Sequence, residues 1–111
     1  MAVYSNISID QGSDFTAEIV VNDVTGNVAI LTGYTGAGQI RKTYTSSTFT
    51  AFGVTVTGPG QGVLTITLSN AVTNAMKAGR YVYDVEITKT STGEKTRVVE
   101  GQLTVNPGVT Q

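Results

Sequence analysis

The chain has 111 residues, enough for one domain with its own core and too few for two. Seven basic against eight acidic residues leave a net charge of −1 with no block of like charge, which argues against a nucleic-acid or anionic-membrane surface. Cysteine and histidine are both absent, and with them disulfides, thiolate nucleophiles, the usual general base and the usual zinc ligand. No apolar run approaches the roughly 20 residues of a spanning helix, and the opening MAVYSNISIDQGSD lacks the basic and apolar regions of a signal peptide. A soluble protein made in the cytoplasm is expected. Nineteen threonines, many alternating with Val, Ile or Leu, together with 13 glycines, point to pleated sheet and many turns.

Residues 3–9 alternate as a first strand, broken by Gln11-Gly12-Ser13. Residues 14–22 resume the pattern with Phe15, Ala17, Ile19 and Val21 inward, and Val20 is an apolar exception on the outward face. A turn signal at 23–27 follows, then a short apolar segment over 28–31. Gly33, Gly36 and Gly38 invite comparison with a phosphate loop, but no helix opens after them and no Lys-Ser/Thr pair follows, so a turn or bulge entering a strand over 39–44 is expected. The hydroxyl-rich stretch 45–51 reads as a contact loop with Phe49 as its aromatic. Phe52, Val54 and Val56, then Leu64, Ile66 and Leu68, flank the reversal 58–62 as a hairpin.

From Ala71 the apolar spacing switches to three and four, predicting one or two helical turns over about 70–77, capped by Ser69 or Asn70, faced by Val72, Ala75 and Met76, and ended at Gly79. Tyr81 then stands where a tyrosine corner would bond back to the preceding backbone. The next strand buries Tyr81, Tyr83, Val85 and Ile87 and shows Arg80, Asp84 and Glu86 to water, with Val82 a second apolar exception. After a turn at 90–94, Arg97, Val99, Gly101, Leu103 and Val105 share one face of the last strand, and Gly101 in that row suggests a bulge or the close approach of another chain. About seven short strands and one helical crossover predict a single all-β domain over 1–111, an immunoglobulin-like antiparallel β-sandwich. Its expected core includes Phe15, Ile19, Ile40, Val54, Leu64, Ile66, Tyr81, Tyr83, Val85 and Leu103.

Asp84 and Glu86, two apart on one strand face, could suggest a glycosidase pair or a calcium site, but neither the cleft nor the further oxygen ligands can be read nearby. A solvated face compensated by Arg80 or a basic residue of a neighbouring strand is the simpler reading. A serine nucleophile would need a lysine base, and no S-x-x-K spacing occurs. No catalytic, cofactor-binding or metal-binding residue is expected, and the chain reads as a non-enzyme. Val20, Phe49 and Val82 are the expected partner contacts.

Five phrases in order, Ile9-Asp10-Gln11-Gly12-Ser13-Asp14-Phe15, Leu31-Thr32-Gly33-Tyr34-Thr35, Gln39-Ile40-Arg41-Lys42, Ala78-Gly79-Arg80-Tyr81-Val82-Tyr83-Asp84-Val85, and Arg97-Val98-Val99-Glu100-Gly101 followed by Leu103-Thr104-Val105, resemble small structural proteins of tailed bacteriophages, cyanophages among them. Their order is similar to the amino-terminal domain of phage baseplate upper proteins. The resemblance implies a virion structural or assembly protein at the tail baseplate or tail-fibre attachment, made in the host cytoplasm. A capsid decoration protein on the head shell is the first alternative, and a small carbohydrate-binding module the second. It implies contacts with other phage structural proteins, with homo-oligomer contacts between copies as a further option, no nucleic acid, no membrane and no cofactor.

Overall fold

Apolar and polar residues alternate along most of the strands in the computed structural model, which describes residues 3–22 and 25–108. Asp23 and Val24 of the expected turn, and the residues beyond Gly108, lie outside the described residues. The elements are β1 (Val3–Tyr4), β2 (Ile7–Asp10), β3 (Phe15–Val20), β4 (Tyr34–Arg41), β5 (Thr50–Gly58), β6 (Val63–Leu68), α1 (Asn70–Ala75), β7 (Gly79–Lys89) and β8 (Lys95–Asn106). Hydrogen bonding runs β1-β8-β7-β4-β5-β6-β3, with β2 also on β8. β5 is the hinge of this path: Phe52 pairs with Gly38 of β4, and Gly53, the next residue, pairs with Thr67 of β6. The sheet therefore curls around one core and nearly closes on itself, leaving β3 and the β1–β2 pair as its two edges.

The result is all-β but mixed, not wholly antiparallel. β1 and β2 both run parallel to β8, with Val3 opposite Val99 and Ile7 opposite Leu103. The strand expected over 3–9 is split in two because the backbone at Ser5 rides over Gly101. A Cβ at Gly101 would lie 2.0 Å from the Ser5 carbonyl oxygen, so only glycine fits. Ser5 N–H donates to the Glu100 carbonyl at 2.8 Å, and the buried Tyr83 hydroxyl donates to the Ser5 carbonyl. The glycine in the valine row thus marks a close approach within the same chain.

A bulge corrects the expected face of β8. Val85 pairs with Val99, but Glu86 pairs with Arg97, leaving Val98 as the extra residue. Val98 and Val99 are both buried, at 4% and 6% exposure. Arg97, expected in the row of Val99, instead lies on the opposite face beside the carboxylates of β7.

The period change after Ser69 does form a helix, shorter than expected. Ser69 caps α1, its Oγ accepting from Val72 N–H at 3.4 Å. The helix ends at Ala75, and Gly79, at φ +144°, opens β7 instead of closing α1. Of its expected apolar side Met76 is buried, Val72 is half-buried and Ala75 is exposed. The buried centre of α1 is Thr73, whose hydroxyl donates to the carbonyls of Ser13 at 2.8 Å and Asn70 at 3.2 Å. The corner forms as expected, with the Tyr81 hydroxyl donating to the Lys77 carbonyl at 2.7 Å.

Ile40, Leu64, Ile66, Tyr83, Val85 and Leu103 are core residues as expected, whereas Phe15, Ile19, Val54 and Tyr81 are only half-buried and pack against that core. The glycine-rich stretch is a turn followed at once by β4. Gly33 takes φ +83°, and a Cβ at Gly36 would meet Val54 Cγ1 at 2.4 Å, so this glycine lets β5 lie close across β4.

Candidate partner-binding surface

Alternation sends Gln39 and Arg41 of β4, and Val82, Asp84 and Glu86 of β7, to the outer face of the sheet, and the Val98 bulge adds Arg97 from β8. In register Gln39 stands beside Asp84, Arg41 beside Val82, and Asp84 beside Glu100. Two carboxylates directly opposite each other would repel. Arg97 resolves this, placing Nε 3.2 Å from Asp84 Oδ2 and Nη1 3.8 Å from Glu100 Oε2. Asp84 and Glu86 thus lie on a sheet face compensated from the neighbouring strand, the simpler of the two readings, with Arg97 and not Arg80 engaging Asp84.

Gln39, Arg41, Val82, Asp84, Glu86 and Arg97, together with Tyr44, line a cleft of about 390 Å³. At its rim Arg41 is fixed from three sides: Nη2 donates to Gln39 Oε1 at 2.9 Å, Nη1 donates to the Ser46 carbonyl, and the guanidinium lies 5.1 Å from the centre of the Phe49 ring. The loop that supplies Ser46 is itself tied, since Thr43 N–H donates to Ser46 Oγ at 3.0 Å and the two hydroxyls lie 3.0 Å apart. Such local bonds suit a hydroxyl-rich sequence, because short polar side chains satisfy nearby backbone in place of a ladder. Tyr44 and Phe49 remain 68% and 50% exposed.

Two of the three expected contacts come together here: Phe49 stacks on Arg41, and Val82 lines the same cleft. Val20 does not join them. It is 54% exposed on β3 and borders a separate apolar groove of about 270 Å³ between β3 and β2. Arg41 and Tyr44 were not among the expected contacts: alternation argued against a basic patch at Arg41-Lys42, and Tyr44, read as covering the edge of the core, is instead exposed. At the base of the apolar groove, burial pushes the Tyr83 hydroxyl above its ordinary pKa of 10.0, opposed by its bond to Ser5 and assisted by Tyr4 nearby. Among the described residues no three His, Cys, Asp or Glu side chains gather as a metal site, and no helix is long and apolar enough to cross a membrane.

No family model and no curated protein matches the chain. Among solved structures it is similar to InlP of Listeria monocytogenes, with 17% identity over 95% of this chain and 28% of that one, at a TM-score of 0.49. It is also similar to the N-terminal Ig1-2 module of the Drosophila receptor protein tyrosine phosphatase DLAR, with 13% identity over 96% of this chain and 47% of that one, at 0.45. A family 123 glycoside hydrolase from Clostridium perfringens aligns at 12% identity over 97% of this chain and 24% of that one, also at 0.45. The chain thus spans from about a quarter to about half the length of these proteins.

Proposed function

We propose that this chain is a non-enzymatic assembly protein of a tailed phage particle, acting at the tail baseplate or the fibre attachment through the outer face of β4 and β7. Its curled sheet is taken as an immunoglobulin-like β-sandwich, a reading supported by the Tyr81 corner and by the strand β5 that passes from one half to the other. The phage assignment draws on the five ordered phrases of the sequence. The observation that carries the binding reading is the Arg41 cluster: a guanidinium held by Gln39, Ser46 and Phe49 beside an exposed Tyr44 and the apolar Val82. Arginine and tyrosine are the residues most often found at interface hot spots, and a side chain already held in place loses less freedom when a partner docks.

Antibody-gold labelling of intact particles tests the assignment. Label at the tail tip is the expected result. Label on the head would select a decoration protein instead, and absence from purified infectious particles would reject both.

A further inference from the structure

Beyond the Arg41 cluster, β3 forms one end of the strand order. Among the described residues β3 pairs only with β6, so one side of β3 is an open edge. The phase of that edge is fixed by Val21 N–H, which donates to the Gly62 carbonyl at 2.7 Å. Counting back along the ladder, Phe15, Ala17 and Ile19 direct their backbone groups to β6 and their side chains inward. Thr16, Glu18 and Val20 direct theirs to the open edge.

β1 and β2, the strands nearest to covering this edge, are bound to β8 instead. The seam left between them and β3 is the groove lined by Ile7, Ala17, Ile19, Ile66, Tyr83 and Val99. Among the described residues its one charged lining residue is Glu18, which is exposed and makes no ion pair with any of them. That carboxylate decides between occupants. A second copy pairing its own β3 antiparallel through the edge-facing residues would set Thr16 against Val20 and Glu18 against Glu18, and like charges directly opposed in a sheet destabilise it. A basic residue at the same position would be attracted.

We propose that the β3 edge takes an extended segment of another virion protein as an added strand. A lysine or arginine of that segment faces Glu18, and its alternate apolar side chains enter the groove. This rests on the assembly reading above.

The probe is a short synthetic peptide alternating threonine and valine about a central lysine, together with its central-glutamate counterpart, each titrated into the isotopically labelled full chain. Binding of the lysine peptide is expected to protect the amides of Thr16, Glu18 and Val20 from hydrogen exchange and to leave those of Phe15, Ala17 and Ile19 unchanged. The glutamate peptide should bind about tenfold more weakly, and Glu18→Lys should reverse the preference. Glu18→Pro removes an edge donor without touching the β6 ladder, so it should abolish the protection while keeping the melting curve. No protection at these three amides, or a preference unaltered in Glu18→Lys, overturns the proposal. In infected cells the two readings separate: normal incorporation of Glu18→Pro into particles overturns the edge contact alone, whereas absence of the unaltered chain from particles overturns the assembly reading.

Discussion

Gly101 is the residue on which the two halves of the amino-terminal strand depend, because the Ser5 carbonyl occupies the place of its missing side chain. Gly101→Ala is expected to cost about 3 kcal/mol or more, since the obstacle is backbone and cannot rotate away; chemical denaturation measures it. Tyr81→Phe deletes the corner bond to Lys77 and should cost about 1 kcal/mol, seen as a lower urea midpoint at unchanged slope. Tyr83 contributes a pH dependence. Its folded pKa lies above the ordinary 10.0, so above that pH the unfolded chain releases a proton that the folded chain retains. Stability is therefore fully present below about pH 10 and falls as pH rises through the folded pKa. Tyr83→Phe should flatten this alkaline loss, as a comparison of thermal melts from neutral to strongly alkaline pH would show.

At the scale of elements, most strands and the helical crossover were legible because period and turn residues are local properties. The bulge was not. Strict alternation assigns Arg97 to the buried row, whereas the doublet Val98-Val99 between two charged residues was the sign that the row skips a place. Val98→Asp tests the bulge directly. A carboxylate in a buried position should cost about 3 kcal/mol or more, while Arg97→Gln, at a half-exposed ion pair, should cost about 1 kcal/mol or less. The opposite ranking by denaturation would restore the regular ladder. Thr73 was hidden for a different reason: its burial depends on the Ser13 carbonyl, 60 positions away, which no local pattern encodes. The candidate surface was half legible. Phe49 and Val82 stood out as exceptions to their surroundings, but only the fold reveals that both border Arg41.

For the whole molecule, the proposed division is between a rim that docks and a frame that holds the rim in place. Tyr44→Ala should leave stability within about 0.5 kcal/mol, because the side chain is 68% exposed, yet reduce incorporation into particles; unchanged incorporation would remove Tyr44 from the contact. The parallel pairing of β1 and β2 with β8 reaches further than stability. Among the described residues the first strands of the chain find their strand partner only in the last one. During synthesis they stay without a strand partner until residues 95–106 have cleared the ribosome, so the fold closes only when β8 emerges and not strand by strand. Sheets made from such distant pairings fold in milliseconds to seconds, and each new copy passes through an interval with exposed strand edges. A cell making many copies at once would meet that hazard most sharply, and slower elongation would not relieve it, because β1 and β2 wait for β8 however slowly the strands between them emerge.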